Sequence, residues 1–308
     1  MSPIDRIKDT IANHEGDWSL DEVQDIGRQL SEEISRNYID PMVRAEEISV
    51  QQRDLYHEIE AQKTRNGELN RLIKETDDKA LKKQYRQELA EGRARRKELE
   101  GQYEELSKQY WGLFNNDGRS AILQENLAQI RDVGGITEDN VKRYADLEAY
   151  PDSTDRTMKA AIEAMNCYPS AWLEHSQDHW YALQPHWTTD RAYYNTGTGE
   201  IRFNERLSTN VHEMGHRFEQ CVPGILQSER EFYARRTAGE SLEWLGQGYD
   251  RSEKTRKDKF ENAYMGKDYG GAAYELVSMG FQYAFTDYGR LAKDPDMETW
   301  ILGLLATM

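Results

Sequence analysis

Two histidines and a glutamate within residues 210–219 have the types and the spacing that hydrolytic metal chemistry requires. His212 and His216 are four residues apart, and on a helix this spacing places both imidazoles on one face, where they can bind a single ion. Glu213 follows the first histidine and completes the pattern His-Glu-x-x-His. In this pattern the histidines bind Zn²⁺ and the glutamate takes a proton from a zinc-bound water. The alternative is a solvated helix with two unrelated histidines.

A hydrolytic zinc site also needs a third protein ligand and an open position for water. The candidates downstream of the motif are Glu229, Glu231, Glu240 and Glu275. The first two fall in a predicted loop, whereas Glu240 is predicted in a helix or at its start. Glu275 begins an apolar helix (residues 274–285), where a carboxylate is out of place unless it is paired or metal-bound. We therefore favour Glu275 as the third ligand and keep Glu240 as the alternative.

Five further residues could bind a metal or a substrate, and each has a plainer interpretation. His175 and His179 are also four residues apart, but no carboxylate or cysteine completes a metal site at short range. We predict that these two and His186 are surface or packing histidines. Arg235 and Arg236 could bind a substrate carboxylate, although ion pairs with the acidic part of the chain are the favoured interpretation.

The element expected before the motif is a β-hairpin. Residues 168–204 are rich in tryptophan and tyrosine, and two short alternating runs flank Thr-Gly-Thr-Gly at 196–199, a pattern typical of a hairpin. Its second strand, residues 200–204, leads directly into the motif helix. We expect this strand to be an edge strand, which could pair with an extended peptide.

Residues 43–110 form a long charged segment whose apolar residues recur at steps of three, four and seven, as in a coiled coil. Residues 76–78 are the favoured reversal, with 66–67 as a second candidate, which predicts an antiparallel hairpin with arms of about 50 Å. The segment holds fifteen basic and fifteen acidic residues, leaving 25 against 41 elsewhere. Balanced charge suits a solvated rod, whose usual role is spacing or docking.

Shorter helices are predicted on both sides of this segment. Residues 3–40 should form two helices, the second capped by Ser19. Turn-forming residues at 115–118 indicate a boundary. We therefore predict a helical and coiled-coil hairpin domain at 1–115 and a second domain with a small β-sheet at 116–308, giving a mostly helical α+β protein. Further helices are expected at 119–131, 137–148, 154–166 and around 300–305.

The composition excludes several classes of function. The chain has 308 residues and a formal net charge of −16, which argues against general nucleic-acid binding. No stretch approaches a membrane-spanning length of apolar residues, and the N-terminus has no apolar run of the signal-peptide type. We expect synthesis in a cytoplasm and no membrane insertion; later virion association, export or injection would need another route. Cys167 and Cys221 imply no disulfide framework.

The motif at 211–219, followed by a later helical glutamate, resembles a gluzincin-type zinc metallopeptidase domain. In detail it is similar to domains of phage head-morphogenesis proteins and of toxins of the anthrax lethal factor kind. The resemblance covers roughly residues 168–290 and implies a zincin-like second domain. The residues it implies are His212, His216 and Glu275 as zinc ligands and Glu213 as the general base.

The resemblance also implies a tyrosine shortly before the ligand glutamate, which stabilises the oxyanion. Tyr269 fits this position best, with Tyr264 and Tyr274 as alternatives. Many gluzincins carry an acidic residue four positions after the ligand glutamate that orients a histidine ligand. That position is Met279 here, so the groups around the ligands must differ.

Residues and resemblance together predict a zinc metalloendopeptidase that cleaves a protein substrate with a zinc-bound water activated by Glu213. The hairpin is expected to dock or deliver this domain, or to attach it to a larger assembly such as a phage particle or an injection machine. The alternative, from a different class, is a structural or assembly protein whose peptidase-like domain is degenerate. A zinc-dependent hydrolase of non-peptide substrates is a lesser alternative.

Overall fold

The computed structural model describes residues 1–115, 118–147 and 155–308. Within them the protein is mostly helical with small sheets of short strands, as expected for an α+β protein. No helix in the described part of the chain is long and apolar enough to cross a membrane. The helices are α1 (Pro3–Ala12), α2 (Leu20–Asn37), α3 (Pro41–Glu75), α4 (Lys79–Asn115), α5 (Arg119–Ile130), α6 (Glu138–Tyr144), α7 (Asp155–Met165), α8 (Ser170–Gln177), α9 (Leu207–Cys221), α10 (Ile225–Arg236), α11 (Leu276–Thr286), α12 (Tyr288–Leu291) and α13 (Pro295–Thr307). The strands are β1 (Gln184–Trp187), β2 (Tyr193–Tyr194), β3 (Glu200–Phe203), β4 (Glu243–Trp244) and β5 (Lys254–Thr255).

The chain forms two compact units, whose limits differ from the predicted division at 115/116. Met1–Tyr38 and Gly118–Met308 make up the larger unit, and Ile39–Asp117 makes up the hairpin unit. Helices α1 and α2 therefore belong with the C-terminal residues. The cause is the apolar face of α2: Val23 and Leu30 have no exposed surface and lie in the core that contains α13.

Two glycines allow α2 and α13 to pack closely. A Cβ at Gly27 would overlap the carbonyl oxygen of Thr299, and a Cβ at Gly303 would overlap that of Val23. Larger residues at either position would force the helices apart. This close contact explains why the N-terminal helices are part of the larger unit.

The predicted short helices are present with small differences in length. Ser19 caps α2 by accepting the backbone N–H of Glu22. Thr137 caps α6, which ends at Tyr144 and is thus shorter than predicted. Parts of three predictions lie outside the described residues: 116–117 of the boundary at 115–118, residue 148 of the helix at 137–148, and residue 154 of the helix at 154–166.

The hairpin unit consists of α3 and α4, which are joined at residues 76–78, the favoured reversal. The second candidate turn, 66–67, lies inside α3 and is therefore wrong. Gln52 donates a hydrogen bond to Ser107 at 2.8 Å, so the start of α3 lies beside the end of α4 and the helices run antiparallel. Among the side chains that the structure describes in this unit, the buried apolar ones are Ala45, Ile48, Leu69, Leu89 and Leu99.

A three-stranded sheet with the order β1-β3-β2 lies before α9. Strands β2 and β3 are antiparallel, with Tyr193 opposite Arg202, which confirms the predicted hairpin. Strand β1 pairs with the other side of β3 in parallel, with Gln184 opposite Glu200. The prediction that β3 is an edge strand is therefore wrong, because it is the central strand. The sequence does not indicate β1, since Gln-Pro-His-Trp lacks the alternation typical of a strand.

Helix α9 carries the motif and packs against α11. Met214 and Phe218 of α9 have no exposed surface. Gly215 lies at the contact, because a Cβ there would be 2.8 Å from Cα of Ser278. This packing brings Glu275, the residue immediately before α11, beside the motif.

Candidate metal centre

The side chains of His212, His216 and Glu275 converge on one point. Nε2 of each histidine is 3.3 Å from Oε2 of Glu275. The histidines are one helical turn apart on α9, with ring centroids separated by 4.9 Å. Within the described residues, these three form the one group of His, Cys, Asp or Glu side chains arranged to hold a metal ion, with ligand atoms within 4.8 Å of one another.

The donor set of this centre fits zinc. Two imidazole nitrogens and one carboxylate oxygen are the ligands of several hydrolytic zinc sites, which leave a fourth position open. One oxygen of Glu275 faces two imidazole nitrogens, and lone pairs on all three atoms would repel unless a proton or a metal ion lay between them. The three residues therefore form a group that could hold a metal ion.

Electrostatics at the centre also favour positive charge. Burial alone would raise the pKa of Glu275, but hydrogen bonds with His212 and His216 outweigh burial and hold that pKa far below its usual range. Burial would likewise lower the pKa of His216, whereas its hydrogen bonds with Glu219 and Glu275 raise it to about 10. The buried carboxylates thus stabilise a cation at this point.

The other candidate ligands lie elsewhere. Glu240 is exposed in a turn after α10, and its Oε2 accepts the backbone N–H of Asp258 at 2.8 Å; its predicted helical position is wrong. Glu229 and Glu231 lie in α10, so the loop predicted there is wrong as well. Of the four candidates, the fold brings Glu275 to the histidines.

Glu213 and His212 line a cleft of about 340 Å³. Glu213 is 7% exposed and so remains accessible from the cleft. A larger cavity of about 410 Å³, beside Trp18 and Met308, contains none of the metal-centre residues. The cleft is further lined by Arg191, Ala192, Thr209, Tyr249, Tyr264, Met279 and Gln282.

The three candidate tyrosines have different surroundings. Tyr269 donates a hydrogen bond from its hydroxyl to Oε1 of Glu275 at 2.6 Å. Tyr264 lines the cleft, and burial together with the charge of Glu275 raises its pKa. Tyr274 packs its ring against Tyr233, with centroids 4.5 Å apart. Tyr264 and Tyr269 are therefore the two tyrosines placed to act at the centre.

Lys267 supports both of these tyrosines. Its ammonium nitrogen is 5.0 Å from the ring centroid of Tyr264 and 4.5 Å from that of Tyr269. The same nitrogen is 2.7 Å from Oε1 of Glu253. A cation held over two rings restrains their orientation. Lys267 thus shapes this side of the site, although no sequence pattern indicates it.

Two buried glutamates near the centre, Glu219 and Glu229, have contacts that the sequence does not predict. Glu219 lies three residues after His216 on α9, and its Oε2 is 3.4 Å from Nδ1 of that histidine. Its Oε1 accepts the backbone N–H of Tyr274 at 3.1 Å. Glu229 has no exposed surface, and its Oε1 accepts the N–H of Val277 at 2.9 Å. The spacing of Glu219 from His216 is the one signal that could have indicated this contact.

The other three histidines considered as metal or substrate ligands, His175, His179 and His186, lie apart from the metal centre. Nδ1 of His179 is 3.3 Å from the guanidinium of the buried Arg217. Nε2 of His186 is 2.7 Å from Oε1 of Glu200. His175 lines the larger cavity. These positions agree with the interpretation of all three as surface or packing residues.

Arg235 and Arg236 form ion pairs at the surface of the larger unit. Arg235 is 2.7 Å from Asp296, and Arg236 is 2.8 Å from Asp294 and 2.7 Å from Asp258. The favoured interpretation of these arginines as ion-pair partners therefore agrees with the structure.

No protein-family model, curated protein or solved structure matches this chain. The chemistry and geometry of the site are therefore the basis for assigning a function.

Proposed function

We propose that the larger unit is a zinc-dependent peptidase that hydrolyses peptide bonds in a protein substrate. The main support for this proposal is the convergence of His212, His216 and Glu275 beside a cleft that is also lined by Glu213. A metal ion held by three protein ligands could also have a purely structural role. A further carboxylate that is free of the ligand set and faces an open cleft favours hydrolysis.

The residues of the site have distinct roles in this proposal. His212, His216 and Glu275 would hold the zinc ion, which when bound would supply a water of lowered pKa and polarise the scissile carbonyl. Glu213 takes the proton of the attacking water and returns it to the leaving amine. A tyrosine hydroxyl, from Tyr264 or Tyr269, donates a hydrogen bond to the oxyanion.

The substrate is expected to lie along β2 and not along β3. Strand β3 is paired on both sides, whereas β2 is at the edge of the sheet. Arg191 and Ala192 immediately precede β2 and line the cleft. An extended peptide that adds to the outer edge of β2 would therefore pass the catalytic groups.

The finer assignments of fold are part of the same proposal. The larger unit is a zincin-like domain of the gluzincin type. This assignment is supported by the packing of the motif helix α9 against α11, which begins immediately after the buried Glu275. The hairpin unit is a coiled coil that docks or delivers this domain, with a larger assembly such as a phage particle or an injection machine as its partner. Exposed apolar residues on α3, including Val43 and Val50, are available for such a contact.

Metal analysis combined with a search for cleaved proteins tests the proposal. Protein purified without chelator should contain zinc at about one per chain. Glu213→Gln should keep this zinc but lower kcat by roughly 10²–10⁴-fold. The matched control is Glu231→Gln, the same change at an exposed position of α10, which should keep both zinc and activity.

Two outcomes would contradict the proposal. Wild-type protein without zinc would support an assembly protein with a non-catalytic domain. Retained cleavage in Glu213→Gln would exclude Glu213 as the base.

A further inference from the structure

A pair of buried carboxyl groups lies between α9 and α10. Glu219 is 2% exposed and Glu229 has no exposed surface. Oε2 of Glu229 has no hydrogen-bond partner among the described residues. Burial and the charge of Glu219 both raise the pKa of Glu229 well above its usual value.

The contacts of Glu229 differ from those of Glu219. Oε1 of Glu229 accepts the N–H of Val277 at 2.9 Å, two residues after Glu275.

The pair contacts two parts of the metal centre at once. Oε2 of Glu219 faces Nδ1 of His216, and Oε1 of Glu219 accepts the N–H of Tyr274. Tyr274 and Val277 lie on either side of Glu275 in the chain. Hydrogen bonds from one carboxyl pair therefore reach a histidine ligand and the backbone on both sides of the carboxylate ligand.

We propose that Glu219 is a positioning residue that holds His216 and the backbone at Tyr274, next to Glu275, in the geometry of the metal centre. When neutral His216 donates Nδ1–H to Glu219, the unprotonated nitrogen is Nε2, which is directed at the ligand point. The inference rests on the proposed function only in that His216 and Glu275 bind zinc. The hydrogen bonds of the pair form in the absence of metal.

Two isosteric substitutions should have unequal effects. Glu229→Gln keeps an oxygen for the N–H of Val277, so zinc affinity should stay within about threefold of wild type. Glu219→Gln offers one oxygen to two donors, Nδ1–H of His216 and the N–H of Tyr274. It should lower zinc affinity by roughly 10–100-fold.

Two readouts distinguish this inference from the proposed function. Competition with a chelator measures zinc affinity, and hydrogen exchange at the amides of Tyr274 and Val277 in metal-free protein measures the hydrogen bonds directly. The control is Glu298→Gln, because Glu298 is also buried and accepts a hydrogen bond from Tyr288, with no part in the centre. If wild-type protein binds no zinc, the proposed function fails and hydrogen exchange alone decides the inference.

The inference is supported if Glu219→Gln accelerates exchange at Tyr274 and weakens zinc binding while Glu229→Gln and Glu298→Gln do neither. It is overturned if Glu219→Gln leaves the exchange at Tyr274 unchanged. It is also overturned if Glu219→Gln and Glu298→Gln lose the same zinc affinity, since general destabilisation would then explain the loss.

Discussion

Tyr269 donates a hydrogen bond to Oε1 of Glu275 at 2.6 Å, while Oε2 of the same carboxylate faces the two histidines. The tyrosine thus contacts the oxygen that is turned away from the ligand point and restrains rotation of the carboxylate. Tyr264 lines the cleft beside Glu213. The spacing of these tyrosines from Glu275 does not distinguish their roles, but their contacts do.

Phenylalanine substitutions should separate the two tyrosines. Tyr269→Phe should weaken zinc binding by about tenfold, because Glu275 loses the group that orients it. Tyr264→Phe should leave zinc affinity unchanged and lower kcat by roughly 10²-fold if its hydroxyl supports the oxyanion. Chelator competition and steady-state kinetics measure these effects. Loss of kcat with normal zinc affinity in Tyr269→Phe would instead identify Tyr269 as the oxyanion donor.

Glutamine substitutions should identify the third ligand. Glu275→Gln removes the carboxylate that faces both histidines. It should weaken zinc binding by more than about 100-fold, because losses of up to about 100-fold are typical of residues that support the ligands without binding the metal. Glu240→Gln changes an exposed residue whose carboxylate accepts a backbone N–H and should bind zinc as wild type does. Zinc content after dialysis measures both. A larger loss in Glu240→Gln than in Glu275→Gln would reverse the assignment.

Alanine at two helix-contact glycines should separate stability from metal binding. Gly215→Ala places a Cβ against the backbone of Ser278 and should cost about 1–3 kcal/mol of unfolding free energy through overpacking. It should also weaken zinc binding, because α9 and α11 carry the ligands. Gly27→Ala should destabilise the contact of α2 with α13 without changing zinc affinity. Urea denaturation and chelator competition measure the two effects, and equal zinc affinities in both variants would contradict the prediction.

The parts of the site that the sequence predicts depend on local information. The spacing of His212, Glu213 and His216 is visible within one helical turn, and Glu275 stands out as a charge at the start of an apolar helix. The parts of the site that the sequence does not predict depend on packing between residues that are far apart in the chain. In sequence, Glu219 is an ordinary helical glutamate and Glu229 falls in a predicted loop, and their burial follows from the packing of α9, α10 and α11.

The same distinction applies to the fold. The apolar stripe of α2 shows that this helix packs against something, but the partner, α13, is more than 250 residues away. Strand β1 has no recognisable strand pattern and forms because β3 offers a parallel partner. The position of β3 in the sheet therefore could not be derived from the hairpin alone.

Removal of the hairpin unit should leave the larger unit folded. The guanidinium of Arg119 lies 4.8 Å from the ring centroid of Tyr38, so the two chain ends that flank residues 39–117 meet within the larger unit. A linker of about four to six residues can replace the hairpin, since connections of this length are common between neighbouring elements. We expect zinc affinity and cleavage of an extended peptide to match those of the full chain, and any association with a larger assembly to be lost. Thermal unfolding, chelator competition and co-sedimentation measure these properties. Loss of zinc binding on removal would instead show that the hairpin unit is needed to form the centre.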